Sequence, residues 1–236
     1  MPSAFDCVSD GLLIDNFKYY KSDVLSVGLI SSYLSNRKQF VRINNKSSDT
    51  NIIKDGVPQG SVVGPVLFLI YINDIEMGTR AQPVLFADDI SFSMVDASMD
   101  SLLQEMGKAQ AKAEEWFAVN SLKLNNNKTK HFYFTFKNLP KPNDQDSVKM
   151  LGFYMDQKLT WAEHVEYTTS KLNQNLFVIR SLTNIPSTKV ALTAYHALIM
   201  SHCTYGLILW GHAPDASDIF GIQRKALRIV FNIGLM

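Results

Sequence analysis

A chain of 236 residues, 46% hydrophobic and 19% charged, has ordinary globular composition, with room for a sizeable core in one or two domains. A formal net charge of +1 excludes bulk electrostatic attraction to nucleic acid, so such a partner would be met only by local basic patches. Cys7 and Cys203 lie far apart, without metal-ligand spacing or a disulfide framework, and point to a reducing intracellular compartment, cytoplasmic or nuclear.

In chain order, residues 1–8 read as the tail of a strand, with Phe5 and Val8 already core-like. Ser9 or Asp10 then caps a helix bearing Leu13, Phe17 and Tyr20 on one face, and Ser22 starts a second with Val27, Ile30 and Leu34 in register. RKQFVRINN and TNIIK alternate as two strands, with Asn44-Asn45-Lys46 turning near a hairpin. Gly56, Pro58 and Gly60 punctuate a loop. The apolar run Val62 to Ile72 follows, with Pro65 in its first turn, where a missing N–H is harmless. That run falls well short of the ~20 residues that span a bilayer and reads as a helix buried on all sides, so no membrane is expected as a partner. No signal peptide precedes the chain.

Two short strands joined across Ala87-Asp88-Asp89 come next, then an amphipathic helix from about Met99 to Ser121 with Leu102, Met106, Ala109, Ala113 and Trp116 as its stripe. Asn125 to Asn127 break the pattern, KHFYFTF resumes as a strand, Pro140 to Asp146 form a polar loop, and VKMLGFYMD reads as a strand or hairpin. Thr160 and Glu163 fit a capping box for a helix carrying Val165, Leu172, Leu176 and Ile179. Pro186 ends it; further helices span roughly Thr188 to Ser201 and the stretch with Ile219, Ile222, Leu227 and Val230, and Ile229 to Met236 stops without a cap. The order is mixed α+β to about residue 158 and all-helical afterwards.

Adjacent carboxylates at a hairpin tip repel, and either a proton or a cation must relieve them. Hard Mg²⁺ takes oxygen ligands and commonly keeps one or two carboxylates besides water and substrate phosphates. An Asp-Asp dipeptide alone is usually a solvated turn. Here Val84-Leu85-Phe86 and Ile90-Ser91-Phe92 flank it, which predicts buried strands and a rigid tip. In GVPQG the glycines permit close backbone approach to a ligand, and Gln59 can donate and accept; standing alone, the segment is a loop feeding a helix.

AFDCVSD, SSYLSNRKQFVRIN, GVPQGSVVGPVLFLIYINDI, LFADDISF, LKLNNNKTK, VKMLGF and YGLILWG occur in this order. Together they resemble the reverse transcriptase of non-LTR retrotransposons of the jockey or LINE-like kind, over nearly the whole chain. The resemblance implies an α+β right-hand polymerase fold: a palm, an antiparallel sheet backed by helices, over 1–158, then an all-helical thumb-like region over 159–236, both truncated. It implies an RNA-directed DNA polymerase, a nucleotidyltransferase working with two metal ions, Mg²⁺ with Mn²⁺ as the alternative. RNA template, DNA primer and deoxynucleotides are the implied partners, with missing fingers or endonuclease segments of a longer polyprotein beside them. Asp88 matches the metal-ligating first aspartate of FADD and Asp89 the second. Gln59 and Gly60 match the loop that meets incoming nucleotide and template, and Phe5 the aromatic that gates against a ribose 2′-OH. Leu151-Gly152 matches the primer-grip hairpin. Lys128 or Lys130 stands near a lysine proposed as an acid for pyrophosphate; strand-edge solubility is the other reading of both.

One departure weighs against activity. The family's third catalytic carboxylate precedes the aromatic at a position that falls just before Met1, and Asp6, the neighbour of Phe5, faces the other way on a strand. The expectation is that this chain alone polymerises poorly. The rival readings are an inactive retroelement remnant that binds nucleic acid, and an interaction protein in which Asp88 and Asp89 merely turn the chain. Trp116, Trp161 and Trp210 read as core, and His131, His164, His196, His202 and His212 show no zinc-ligand spacing. Arg37, Lys38 and Arg42, and separately Arg224, Lys225 and Arg228, read as solvated faces or phosphate contacts.

Overall fold

The computed structural model describes residues 4–75, 79–125, 127–137, 147–184 and 187–233. The chain forms two compact units, Met1–Thr129 and Lys130–Met236. Pro186, the loop from Pro140 to Asp146 and Asn126, all given roles by the sequence, lie outside the described residues.

The first unit opens not on a strand but on a 3-10 turn, Ala4–Cys7. The later loop takes one carbonyl in the turn and one just after it: Val57 N–H donates to Phe5 O at 2.8 Å and Gly56 N–H to Val8 O at 2.6 Å. Helices α1 (Asp10–Tyr19) and α2 (Val24–Leu34) follow, α2 capped by the Asp23 carboxylate, which accepts from Ser26 N at 2.9 Å. Four short strands nest as two antiparallel ladders. Strand β1 (Lys38–Gln39) pairs with β4 (Asn51–Ile52), and inside them β2 (Arg42–Ile43) pairs with β3 (Lys46–Ser47). Asn44 and Asn45 make the turn at φ 46° and 65°, a region asparagine enters more easily than most residues. Arg37 is no solvated cation: its Nη2 lies 3.1 Å from Asp10 Oδ2 and its Nε donates to Leu34 O, joining the ladder to α1 and α2.

Helix α3 (Gly64–Ile72) carries the core of this unit through Leu67, Phe68, Tyr71 and Ile72. It is not buried on all sides, because Val66 and Leu69 are about half exposed; a run apolar on every face does not reveal which face finds a partner. Tyr71 is fully buried, and its hydroxyl donates to Asn120 O at 2.6 Å while accepting from Ser9 N. One side chain thus joins the start of α1 to the end of α4 (Met99–Val119), whose Ala109, Ala113 and Phe117 complete the core. Between α3 and α4 lies the hairpin of β5 (Gln82–Phe86) and β6 (Asp89–Ser93).

In the second unit KHFYFTF makes no strand; one backbone bond, Thr135 N–H to Gln157 O, ties it down, and Phe134 and Phe136 stay exposed. Strands β7 (Ser147–Met150) and β8 (Phe153–Asp156) form a hairpin, followed by α5 (Ala162–Leu182), α6 (Thr188–Tyr195), a π-helical turn His196–Met200, α7 (Ser201–Thr204), α8 (Leu207–Trp210) and α9 (Ala216–Val230). Helix α5 packs chiefly on α9, and Leu172, Ile179, Ile199, Trp210, Ile219 and Ala226 are wholly buried. Among the described residues all ladders are two-stranded, so the single sheet expected from the sequence is replaced by separate antiparallel pairs in an α+β chain.

The capping box at Thr160 and Glu163 does not form. Asp156 takes its place: its carboxylate accepts from Lys158 N, Thr160 N, Thr160 Oγ1 and Trp161 N at 2.9–3.1 Å, and Trp161, at φ 65°, occupies the position before α5. Burial works against ionisation of Asp156, but these donors outweigh it and hold its carboxyl below the usual range. Asp156→Ala should lower the unfolding free energy of this unit by about 1–2 kcal/mol in denaturant titration.

His164 is buried among Phe153, Trp161 and Trp210, with Nδ1 unpartnered and its pKa lowered by desolvation. Above the ordinary value of 6.5 neither folded nor unfolded chain carries this proton. Below it the unfolded chain binds a proton that the folded chain refuses, so stability falls as pH drops through that window. Thermal melts from pH 7.5 to 5 should show this loss in the wild type and a shallower one in His164→Phe.

Candidate functional site

The loop from Gly56 to Gly60 is positioned by what glycine alone permits. Gly56 has φ +95°, and a Cβ there would stand 3.0 Å from Asp6 Cα and 3.1 Å from the carbonyl oxygens of Phe5 and Asp6. The loop therefore lies directly on the 3-10 turn. Phe5 is half-buried with its ring 4.8 Å from that of Phe68, and Gln59 Nε2 donates to Asp6 Oδ1 at 2.7 Å. Ser61 closes the loop onto α3, accepting from Gly64 N at 2.8 Å and donating to Pro58 O at 2.9 Å. Gly60, at φ +80°, has open space around it, and Gln59 and Gly60 are both exposed.

The β5–β6 register runs from Gln82↔Ser93 to Phe86↔Asp89, which leaves Ala87 and Asp88 as the turn. Ala87 sits at φ 52°, a strained conformation for a residue with a Cβ and one that the ladder must hold. The flanks are only half as buried as predicted. Leu85, Ile90 and Phe92 pack on the same apolar cluster as Phe5, Cys7 and α3, whereas Val84 and Phe86 are 53% and 60% exposed. The hairpin has one inner face, as period-two alternation dictates. Asp88 and Asp89 are exposed at its tip.

Among the described residues, no group of three or more histidine, cysteine, aspartate or glutamate side chains could enclose a metal. The donor set at the tip is two hard oxygen-bearing carboxylates open to solvent. That fits a cation whose remaining ligands come from water and a phosphate substrate, and does not fit a closed structural metal site.

In the second unit Leu151 and Gly152 make the β7–β8 turn at φ 47° and 86°. Tyr205 Oη donates to Leu151 O at 2.6 Å. The Tyr205 ring stacks on Phe153 at 4.8 Å and 6°. Lys128 and Lys130 are exposed and lie in no strand. Neither the acceptor on Asp6 nor Tyr205 is marked by local pattern: AFD and YGLILWG stand out in the chain, but their partners, Gln59 and Leu151, are distant in it.

Residues 3–155 match the family described as reverse transcriptase (RNA-dependent DNA polymerase), and with well over half its length matched the chain belongs to that family. It is 30% identical over 257 aligned positions to the "Probable RNA-directed DNA polymerase from transposon BS" of Drosophila melanogaster, covering 98% of this chain and 28% of the relative. It is 26% identical to the "Probable RNA-directed DNA polymerase from transposon X-element" of the same species, covering 86% of this chain and 24% of the relative. It is also 25% identical to the "RNA-directed DNA polymerase from mobile element jockey", covering 95% and 27%. The resemblance to reverse transcriptases of non-LTR elements is thereby borne out. The chain spans about a quarter of the length of these relatives. The family implies nucleic-acid template and primer as partners and a divalent metal as cofactor. Among the described residues, no helix is long and apolar enough to cross a membrane.

If the contact between the glycine loop and the 3-10 turn holds this site together, Gly56→Ala should lower stability by about 2 kcal/mol, since both the left-handed φ and the backbone approach oppose a Cβ. Gln59→Ala, which removes one exposed hydrogen bond, should lower the unfolding free energy in denaturant titration by less than about 1 kcal/mol.

Proposed function

We propose that this chain is the palm, to residue 158, and the start of a helical thumb, from 159, of an RNA-directed DNA polymerase that extends a DNA primer on an RNA template. The observation that carries this reading is the Asp88–Asp89 pair, exposed at the tip of a hairpin whose inner face is anchored in the core that also seats Phe5. Asp88 and Asp89 hold Mg²⁺, or Mn²⁺ in its place. When bound, the cation activates the primer 3′-hydroxyl and offsets charge on the transferring phosphate. The protein's own part is placement. Asp88 and Asp89 would hold the cation that meets the reacting end of the triphosphate, Gln59 and Gly60 line the nucleotide and template side, and Phe5 crowds the sugar so that a 2′-hydroxyl is disfavoured. The Leu151–Gly152 turn grips the primer strand, and Lys130, or its neighbour Lys128, protonates departing pyrophosphate. The helices after Asp156, with no further strand among the described residues, support the thumb assignment.

A second reading is favoured by one observation: no third carboxylate joins Asp88 and Asp89 among the described residues. On that reading the chain binds primer and template without extending the primer. Filter binding and primer extension separate the two. In the presence of Mg²⁺ the chain should hold a complex of primer, RNA template and the matched deoxynucleotide, and Asp88→Asn should weaken nucleotide retention at least about tenfold, the size expected for one lost charge-assisted ligand. Extension that is abolished by Asp88→Asn supports the polymerase. A nucleotide-independent complex without extension supports the second reading, and no complex at all contradicts both.

A further inference from the structure

YGLILWG stands out in the sequence, and no step of the polymerase reading uses it. In the structure Tyr205 is 54% exposed, so burial does not account for its ring. Its contacts converge on one turn instead. The hydroxyl donates to Leu151 O at 2.6 Å, the ring lies parallel to Phe153 at 4.8 Å, and a Cβ on Gly152 would sit 3.5 Å from the same ring. The turn needs such support, because Leu151 carries a Cβ and is held at φ 47°, a left-handed conformation that a Cβ opposes.

The rest of the heptapeptide holds Tyr205 in place. Trp210, wholly buried, donates from Nε1 to Tyr205 O at 2.9 Å. Gly206 follows at φ +61°, and a Cβ there would stand 2.3 Å from the Phe153 ring, so glycine is what lets that ring lie against the backbone. Gly211 meets Leu207 O within 2.5 Å of where its Cβ would be. On the far side, Phe153 is bordered by His164 at 5.3 Å and Trp161 at 6.2 Å. The result is a buried indole fixing a carbonyl, that residue's exposed phenol fixing a turn, and the turn presented to solvent.

We infer that Tyr205 is a positioning residue that sets the Leu151–Gly152 turn against the primer's 3′ end. This rests on the proposed reading of that hairpin as a primer grip. The tyrosine does not touch the reacting atoms; it removes the freedom of the turn that does touch the primer, so its loss should be felt where a primer terminus is present and not elsewhere.

The test uses the whole chain, with Tyr205→Phe removing the hydroxyl and Tyr205→Leu removing hydroxyl and ring. Fluorescence anisotropy compares an RNA template carrying a recessed DNA primer with the same template alone, and amide exchange is followed at Gly152 and Phe153. Tyr205→Phe should weaken recessed-primer binding by about five- to tenfold, as for one lost hydrogen bond. Its exchange at Gly152 and Phe153 should quicken and its melting temperature fall only by the few degrees that one lost hydrogen bond accounts for, while its template-only affinity matches the wild type. Tyr205→Leu should lose more. Equal affinity and exchange in Tyr205→Phe and wild type would overturn the inference alone, as would equal losses on both nucleic acids, the mark of a merely structural role. A wild type that does not distinguish recessed primer from template would overturn the primer-grip reading and this inference with it.

Discussion

What the first unit must hold in place is a hairpin end that carries carboxylates on two consecutive residues, Asp88 and Asp89. Carboxylates side by side at the end of a hairpin favour fraying of that end unless packing or a cation opposes it. Here the register reaches Phe86↔Asp89, the last pair before the turn, and Leu85, Ile90 and Phe92 seat one face in the core. The folded chain thus keeps both carboxylates at one exposed tip, the arrangement the proposed divalent cation would use. Ala87, left-handed at φ 52°, is backbone strain held by the same ladder.

The rest of the first unit supports that tip. Tyr71 fastens α3 between the start of α1 and the end of α4, and α3 in turn offers Phe68 to Phe5. Gly56 lets the loop bearing Gln59 lie on the turn bearing Asp6. The second unit repeats the device with different parts: a short hairpin, a left-handed non-glycine residue in its turn, and a packed element that fixes the turn from behind, here Tyr205 on Leu151. Strained turns mounted on packed scaffolds suit chemistry that depends on placement more than on reactive side chains.

Much of this was legible in the sequence because turn chemistry is local. Asn44-Asn45, Gly56 and Ala87-Asp88 turn where the local pattern predicts, and the helical stripes of α4, α5 and α9 follow from period alone; VKMLGFYMD reads as strand or hairpin, and only the family resemblance names Leu151-Gly152 as a hairpin. What failed depended on partners. Residues 1–8 read as the tail of a strand, yet residues 4–7 wind into a 3-10 turn, and Val57 and Gly56 claim the carbonyls of Phe5 and Val8. KHFYFTF has strand composition and no adjacent ladder to join among the described residues. Thr160 and Glu163 match a capping box, but Asp156 takes the Thr160 N–H that the Glu163 side chain would have accepted. The apolar run of α3 could not say which of its sides stays open, and nothing near Tyr205 in the chain points to Leu151.

The central claim is that the Asp88–Asp89 turn binds a divalent cation, and replacing Mg²⁺ with Fe²⁺ tests it directly. With ascorbate and peroxide, bound iron releases hydroxyl radicals that cut the backbone within a few residues, and mass spectrometry maps the cuts. The account predicts cleavage around Ala87 to Ile90 that Mg²⁺ suppresses and that disappears when both aspartates are changed to asparagine. An intact hairpin, or cuts confined to other segments and indifferent to Mg²⁺, would contradict it.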